Sequence, residues 1–344
     1  MDKVMKQIAN KFNISRTVRV SKLGNGLIND TYLVKNREGN FVLQKLHPIF
    51  KTTVLIDIDN ITSYLHKDRQ ITPLLIKTKD EKLYFKSNDG RYWRMFTYIS
   101  GICYEVGINS QQAFSAGQLV GRFHNILSNF DYKFKHKIKN FKNSEAHIKN
   151  LKQTLKKFKG TEKYKSLNNL ADYVLQEYNK ININLDLIPD RIIHGDLKIN
   201  NIRFNKNGDA VCLLDLDTLS RSKVVMDISE ATRTWCNTGN EDDIKNSSFD
   251  LKVFESMLRG YLDTAKPITK KELILIPEAI KRTLLVLMAR FITDAFEEKY
   301  FRLDRHKYKN LYEQNRTKAN AQRTLYNDFL NKKNHVNKVI RDLM

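Results

Sequence analysis

The sequence has few cysteines and no long apolar run, and both absences exclude classes of protein. A membrane-spanning helix needs about 20 consecutive apolar residues, whereas the best candidate, residues 283–291, is much shorter and contains an arginine. Cys103, Cys212 and Cys236 are odd in number and far apart, which argues against a disulfide framework or a CxxC metal clamp. The first residues, Met1–Val4, lack the apolar core of a signal peptide. We therefore predict a reduced, cytoplasmic protein without a membrane segment.

Acidic residues are also scarce relative to basic ones. The 344-residue chain has 60 Lys and Arg but 38 Asp and Glu, a formal net charge of +22. Much of the excess lies in the lysine-rich stretch 132–165, which could be a solvated helical face or an electrostatic funnel for an anionic ligand or a polyanion. No zinc-finger spacing, RNP-like aromatic motif or helix-turn-helix pattern accompanies the charge. Nucleic acid is therefore not expected as a partner.

The pattern of apolar residues divides the chain into a β-rich part and a helical part. With 41% hydrophobic residues, wholesale disorder is excluded. Alternation and turn signals predict strands over 16–23, 27–34, 41–46, 74–77, 83–86 and 91–99, with one helix over 54–66. After residue 101 helical spacing predicts helices over 111–127, 145–158, 167–178, 270–298 and 315–343. Between the third and fourth of these helices, 191–194, 199–204 and 210–215 have a strand pattern. We expect an α+β protein of two lobes, residues 1–100 and 101–344.

Residues 194–217 carry the strongest chemical signal. An aspartate, an asparagine five residues later and a second aspartate after an apolar strand form a set that phosphoryl transfer can use. The first carboxylate orients the attacking hydroxyl and can accept its proton, while the other two side chains hold Mg²⁺. Asp196 is the candidate base, Asn201 and Asp215 are the candidate metal ligands, and Lys198 could place a cation beside the phosphoryl group. Alternatively these residues form a turn and a strand cap, but their order favours catalysis.

A glycine-containing turn lies between the first two predicted strands, at Gly24, Asn25 and Gly26. Glycine lets backbone N–H groups approach phosphates, although a plain hairpin turn also favours it. The third predicted strand, 41–46, contains Gln44 and Lys45 at the place where kinases carry a phosphate-binding lysine. Because strand residues alternate between faces, these two side chains point in opposite directions. Lys45 is the first candidate, and a surface position for it is the alternative.

The order of these motifs resembles the aminoglycoside phosphotransferase and choline kinase superfamily and, within it, the N-acetylhexosamine 1-kinases. The motifs are Gly-Asn-Gly-Leu-Ile-Asn-Asp-Thr-Tyr at 24–32, Lys-Ile-Asn-Asn at 198–201, Leu-Asp-Leu-Asp-Thr at 214–218 and Arg-Phe-Ile-Thr-Asp at 290–294. The similarity runs over residues 20–325. It implies a protein-kinase-like bilobal fold, with a nucleotide-binding lobe over 1–100 and a catalytic and substrate lobe over 101–344.

The resemblance also implies ATP and Mg²⁺ as cofactors and roles for further residues. The implied nucleotide-binding residues are Gly24, Asn25, Gly26, Thr31, Gln44, Lys45, Thr97 and Ile99. The implied substrate-binding residues, besides Asp196, are Arg233, Tyr300 and Arg316. Trp235 and Tyr300 could stack on a sugar face, and a core position is the alternative for Trp235. The sequence departs from the hexosamine kinases at Gly195, where they usually have asparagine, and at Glu298, where they have glycine.

The function that this resemblance implies is transfer of the γ-phosphate of ATP to the anomeric hydroxyl of a hexose or N-acetylhexosamine. Two alternatives remain open. The first is a kinase of another small alcohol, such as an aminoglycoside, choline or homoserine, although the basic charge disfavours a polycationic substrate. The second is a polyanion-binding protein on a kinase scaffold, which the presence of Asp196, Asn201 and Asp215 together disfavours.

Overall fold

The computed structural model of the chain describes residues 2–17, 19–23, 29–68, 70–136 and 143–344. The predicted glycine turn with Gly24, Asn25 and Gly26 lies outside the described residues, as do residues 137–142 of the lysine-rich stretch. Within the described part, an antiparallel sheet comes first in the chain and a larger set of helices follows. The α+β fold class predicted from the sequence is therefore confirmed.

A six-stranded antiparallel sheet and two helices form the first part of the described chain, which we call the small lobe. Its strands are β1 (Arg19–Lys22), β2 (Asp30–Lys35), β3 (Asn40–Lys45), β4 (Leu75–Ile76), β5 (Phe85–Lys86) and β6 (Tyr92–Thr97), and its helices are α1 (Asp2–Ala9) and α2 (Thr53–His66). The strand order is β1-β2-β3-β6-β4, with β5 paired to β6. The six strands and α2 agree with the prediction. The helix α1 is an addition, because it is too short for a helical period to be evident.

The two faces of this sheet pack against different parts of the molecule. Leu43 and Met95 belong to an apolar cluster that includes residues of α1. Phe96 packs instead into the main core, to which α2 contributes. Because side chains alternate along a strand, Gln44 on β3 and Arg94 on β6 lie on the second face. Two polar side chains of the small lobe are thereby turned toward the rest of the molecule.

The remaining described elements form a mainly helical part, which we call the large lobe. Its helices are α3 (Ser110–Leu127), α4 (Ser144–Lys157), α5 (Glu162–Asn179), α6 (Val224–Trp235), α7 (Leu251–Thr264), α8 (Lys270–Glu297) and α9 (Leu311–Leu343), and its strands are β7 (Arg191–Ile193), β8 (Ile202–Phe204), β9 (Ala210–Leu213) and β10 (Ser220–Ser222). Strand β8 pairs with β9, and β7 pairs with β10. The predicted strand 199–204 is partly wrong, because Ile199–Asn201 form a 3₁₀ turn before β8. None of the helices in the described residues is long and apolar enough to cross a membrane.

The connection between the lobes is anchored where it enters the large lobe. The backbone N–H of Ile102 donates to the carbonyl of Phe204, and the N–H of Phe204 donates to the carbonyl of Ile102, both at 2.8 Å. Gly101 has φ +137°, and a Cβ atom there would lie 2.2 Å from the Phe204 carbonyl oxygen. Only glycine therefore fits this close approach. The segment that follows Thr97 is thus fixed against β8, next to the residues of the candidate site.

Candidate active site

A buried carboxylate shapes the turn that precedes Asp196. Asp227 on α6 is fully buried and accepts hydrogen bonds from the backbone N–H groups of His194 (2.7 Å) and Gly195 (2.8 Å). Its Oδ2 atom also lies 3.1 Å from Nε2 of His124 on α3. The buried carboxylate of Asp227 thus accepts hydrogen bonds from two backbone N–H groups. This arrangement holds the turn after β7 so that Asp196 follows it in a fixed position.

Glycine is required at position 195. Its φ is +88°, and a Cβ atom would lie 2.4 Å from the Thr218 carbonyl oxygen. We expect Gly195→Ala to lower the free energy of unfolding by roughly 2–5 kcal/mol, the sum of left-handed strain and overpacking. Gly90→Ala is the matched control, because Gly90 has φ +77° with no described atom within 4 Å. It should lose about 1–2 kcal/mol from strain alone. Equal losses in chemical denaturation would contradict this interpretation.

Asp196 lies beside two of the other predicted residues. The Lys198 ammonium is 2.9 Å from Oδ2 of Asp196. The Asn201 amide nitrogen donates to the Asp196 backbone carbonyl at 2.8 Å and to its Oδ2 at 3.3 Å. Desolvation alone would lower the pKa of Lys198, but the negative charges of Asp196, Asp215 and Glu230 raise it. Lys198 therefore carries a positive charge next to the candidate base.

Asn201 and Asp215 are brought together by the β8–β9 hairpin. Ile202 pairs with Leu213, so the residues just outside these strands, Asn201 and Leu214, are opposite each other. The Leu214 N–H donates to the Asn201 carbonyl at 2.8 Å, and Asp215 comes next with φ +58°. Desolvation, with the negative charges of Asp217 and Asp196, raises the pKa of the Asp215 carboxyl. A bound cation would favour its charged form.

The donor set around Asn201 and Asp215 fits Mg²⁺. One amide oxygen and one carboxylate are hard oxygen ligands, and magnesium usually takes one or two protein ligands and completes its shell with phosphates and water. In the described residues no cluster of three or more His, Cys, Asp or Glu side chains forms a metal site by itself. Asn201 and Asp215 could therefore supply two oxygen ligands to a bound Mg²⁺.

Asp217, two residues beyond Asp215, has a different environment. Its carboxylate is buried and receives the two terminal nitrogens of Arg94, with Nη2 at 2.8 Å from Oδ2. The Arg94 Nε donates to Oε1 of Gln44 at 3.0 Å, and Nε2 of Gln44 donates to the Thr31 hydroxyl at 3.1 Å. Gln44 and Thr31 therefore lie in a network that joins the small lobe to the segment after β9.

Lys45 does not join this network. Its ammonium lies on the opposite face of β3, 3.9 Å from a carboxylate oxygen of Asp89 and 5.8 Å from the centre of the Trp93 ring. The structure thus brings Gln44 toward the candidate site and places Lys45 on the other side of the sheet. The alternation of the strand predicts that the two side chains diverge, but not which of them faces the large lobe.

Thr97 and Ile99 lie at the end of the small-lobe sheet, where the chain passes to the large lobe. The Thr97 N–H donates to the Leu74 carbonyl at 2.9 Å, and its hydroxyl accepts from the Leu74 N–H at 3.0 Å. The Thr97 side chain is therefore occupied within the small lobe. Ile99 is half-buried, two residues before the Gly101 anchor.

Charged side chains of both signs surround Arg233, one of the predicted substrate-binding residues. Arg233 is buried on α6, with its guanidinium 2.6 Å from Glu230 and 3.5 Å from Glu241. Glu241 is also 2.9 Å from the Lys318 ammonium. Burial would lower the pKa of Arg233, but the negative charges of Glu230, Glu241 and Asp196 raise it. Arg233 is therefore a permanently charged group close to Asp196.

Tyr300 and Arg316 are more exposed than Arg233. The Tyr300 side chain is 56% exposed, its hydroxyl lies 2.9 Å from Nη2 of Arg290, and that guanidinium lies 5.1 Å from the ring centre. Arg316 is exposed on α9. Trp235, in contrast, is buried and donates from Nε1 to the Leu197 carbonyl at 2.9 Å. Trp235 is thus a core residue and offers no face for stacking on a ligand.

The geometry can be compared with known proteins. The family model described as "Phosphotransferase enzyme family" (APH) matches residues 19–250, which include β1 to β10 and α6. The chain belongs to this phosphotransferase family. The matched range contains Asp196, Asn201 and Asp215 but ends before α8 and α9. No curated protein matches the sequence.

Solved structures share the fold of this phosphotransferase over nearly its whole length. An amicoumacin kinase in complex with AMP-PNP, Ca²⁺ and Ami has a TM-score of 0.63 at 15% identity, covering 93% of this chain and 92% of that one. A microcompartment-associated aminopropanol kinase has a TM-score of 0.64 at 14% identity, covering 96% and 98%. Choline kinase from Cryptosporidium parvum Iowa II has a TM-score of 0.57 at 14% identity, covering 98% and 97%. The protein-kinase-like bilobal fold is therefore confirmed.

Sequence reasoning missed several residues of the site in this phosphotransferase. Arg94 stands in a buried strand between Trp93 and Met95, and a charged residue in such a strand is itself a signal of a buried partner. Glu230 precedes Arg233 by three residues on α6, a spacing that lets the two side chains meet. The approach of Glu241 to Arg233 depends on the fold and has no such signal.

Proposed function

We propose that this phosphotransferase is an ATP- and Mg²⁺-dependent kinase that phosphorylates the anomeric hydroxyl of a hexose or N-acetylhexosamine. The products are a sugar 1-phosphate and ADP. The observation that carries the proposal is the grouping of Asp196, Lys198, Asn201 and Asp215 at the end of β9, within the range matched by the family. The presence of AMP-PNP and Ca²⁺ in the amicoumacin kinase complex supports a nucleotide and a divalent cation.

In this proposal Asp196 acts as the general base. Its carboxylate orients the anomeric hydroxyl and accepts its proton as the oxygen attacks the γ-phosphorus of ATP. The new O–P bond forms while the bond from the γ-phosphorus to the bridging oxygen breaks, and ADP leaves. The anomeric hydroxyl is the most acidic hydroxyl of a free sugar, so positioning does most of the work and an ordinary carboxylate suffices. Lys198 places a positive charge 2.9 Å from that carboxylate, beside the phosphoryl group that is transferred.

Asn201 and Asp215 would hold Mg²⁺ with the nucleotide phosphates. When bound, the metal supplies neutralisation of the phosphate charge. The contribution of the chain is to fix the two ligands relative to Asp196, through the Asn201 contacts with Asp196 and the Leu214 N–H bond to the Asn201 carbonyl. Asn201 is thus hydrogen-bonded to the base, and Asp215 directly follows the residue that is hydrogen-bonded to Asn201.

The charges near the base favour an uncharged acceptor. Lys198 pairs with Asp196, and Arg233 with Glu230. The next carboxylate, Glu241, pairs with Lys318. Asp215 is assigned to the metal in this proposal, and the other charges neutralise one another, so they leave no excess negative charge for a polycation. A free sugar therefore fits this surface better than an aminoglycoside.

A kinase of a small amino alcohol is the second candidate. Two of the similar structures are kinases of aminopropanol and choline. A panel of free hexoses, N-acetylhexosamines, choline, homoserine and an aminoglycoside should be tested for ATP-dependent phosphorylation. We expect turnover with free sugars and a product detected by an assay specific for sugar 1-phosphates. Turnover confined to the amine-bearing alcohols would contradict the proposal and support the second candidate.

Substitution of Gln44 and of Lys45 tests which of the two side chains faces the nucleotide. We expect Gln44→Met to raise the KM for ATP by about tenfold, because Arg94 loses the side chain that orients it. Lys45→Met should change this KM by less than about twofold, since its partners Asp89 and Trp93 lie on the other face. Steady-state kinetics with ATP varied at saturating acceptor measure both values. The reverse ranking would place Lys45 at the nucleotide.

A further inference from the structure

The ion pair that aligns the nucleotide in protein kinases has no counterpart in the described residues. There a lysine of the third strand pairs with a glutamate of the helix that follows, and the pair must form for activity. Here the position on β3 that faces the large lobe is Gln44, and α2 carries only two carboxylates, Asp57 and Asp59. Within the described residues, β3 therefore presents no lysine toward the large lobe, and α2 has no glutamate.

Both carboxylates of α2 have other partners. Asp57 is buried and accepts from the Tyr132 hydroxyl at 2.7 Å and from the backbone N–H groups of Lys135 (2.8 Å) and His136 (2.7 Å). Asp59 lies toward Lys77, on the side of the helix near β4. Helix α2 is thus fixed to the segment that follows α3, and its two carboxylates have partners other than Gln44 and Arg94.

A different ion pair crosses from the small lobe to the large lobe. Arg94 is 2% exposed and lies directly opposite Gln44 in the β3–β6 pairing. Its Nη1 and Nη2 atoms both donate to the Asp217 carboxylate, and its Nε donates to Gln44 at 3.0 Å. All three nitrogens of the guanidinium are therefore engaged. A buried charge of this kind is retained only when it is paired.

Asp217 receives a second side chain from the small lobe. The Asn29 amide nitrogen donates to Oδ2 of Asp217 at 2.9 Å, while its oxygen accepts from the His47 N–H at 2.9 Å. Asp217 lies in the 3₁₀ turn Leu216–Thr218 that begins directly after Asp215. Two small-lobe side chains thus hold a carboxylate that is two residues from a candidate metal ligand.

We propose that the Arg94–Asp217 ion pair is the device that positions Asp215 relative to the small-lobe sheet, in place of the lysine–glutamate pair of protein kinases. Arg94 acts through Asp217 and is a positioning residue. The inference rests on the proposed function, since it assigns the pair a role in holding Mg²⁺ and nucleotide together. Its consequence is that the metal-binding segment is aligned with the small-lobe sheet through Arg94 and not through a carboxylate of α2.

The test is a double-mutant cycle on nucleotide affinity. The affinity for ADP is measured with Mg²⁺ and again with EDTA, in the wild type, Arg94→Gln, Asp217→Asn and the double variant. Each single change should reduce the gain in ADP affinity from Mg²⁺ by roughly tenfold to a hundredfold, and the double variant should lose no more than either single one. Arg91→Gln removes an exposed arginine next to the same strand and should behave as the wild type.

The outcomes separate this inference from the proposed function. Losses that multiply in the double variant, or an unchanged effect of Mg²⁺, would overturn the role of the pair. If Arg94→Gln does not fold, Arg94→Lys replaces it in the cycle; it keeps the buried charge but loses the two-nitrogen contact, and it should show a smaller loss of the same kind. A wild type that does not bind ADP with Mg²⁺ would contradict the proposed function itself.

Discussion

Asp215→Ala is expected to abolish phosphoryl transfer while the chain remains folded. The substitution removes the only carboxylate of the proposed metal site, so the phosphate charge loses its main counter-ion and turnover should fall by at least about a thousandfold. Desolvation, together with the negative charges of Asp217 and Asp196, raises the pKa of Asp215, so its negative charge is disfavoured in the folded chain. Removal of this charge offsets the cost of alanine at φ +58°, so the melting temperature should stay close to that of the wild type.

Asp209→Ala is the matched control for this experiment. Asp209 lies in the turn of the same hairpin, is exposed, and bonds only locally to Asn205. Activity close to that of the wild type is expected for it. A folded Asp215→Ala enzyme with near wild-type turnover would show that Asp215 is not a metal ligand.

Asp196→Asn is expected to lower kcat by on the order of 10²–10⁴-fold. This is the usual contribution to the rate of a general base that also orients the attacking hydroxyl. The KM for ATP should hardly change, because Asn201 and Asp215 remain. The fold should also persist, since the Asn201 amide keeps its 2.8 Å bond to the backbone carbonyl at position 196. Steady-state kinetics with the best acceptor measure both constants.

The effect of ionic strength on the wild type is the control for the Asp196→Asn experiment. If the net charge of +22 steers ATP to the site, added salt should lower kcat/KM for ATP in the wild type. It should not reproduce the kcat defect of Asp196→Asn. Full kcat in the variant would exclude Asp196 as the base. Asp217 could not replace it, because Arg94 and Asn29 occupy its buried carboxylate.

The elements that the sequence predicts well are those with a regular apolar period. The six strands of the small lobe and helices such as α3 and α8 lie close to their predicted bounds. Helix α6 is absent from the prediction although Val224, Ile228, Ala231 and Trp235 have helical spacing. The polar residues around position 220 have the pattern of a turn, so the prediction includes the strands before them and omits the helix after them. Residues 199–201 form a 3₁₀ helix before β8, and two of the three are asparagine, which is depleted in strands.

The candidate site, like the fold, has a part that the sequence predicts and a part that it does not. The order Asp196, Asn201, Asp215 predicts a shared location because a short hairpin connects them, and the structure does bring them together. The direction of Gln44 depends on which face of the sheet α1 covers, and no local pattern contains that information. The pairing of Arg94 with Asp217 joins residues 123 positions apart and arises only when the two lobes meet.

Analysis of the reaction product shows whether the acceptor is an anomeric hydroxyl. The wild-type protein is incubated with ATP, Mg²⁺ and the preferred free sugar of the panel, and in parallel with the methyl glycoside of the same sugar, in which the anomeric oxygen is blocked. Proton and phosphorus NMR then locate the new phosphate. We expect coupling between phosphorus and the anomeric proton in the first reaction and no phosphorylated product in the second. Phosphorylation of the methyl glycoside, or a phosphate on any other hydroxyl of the free sugar, would contradict the account.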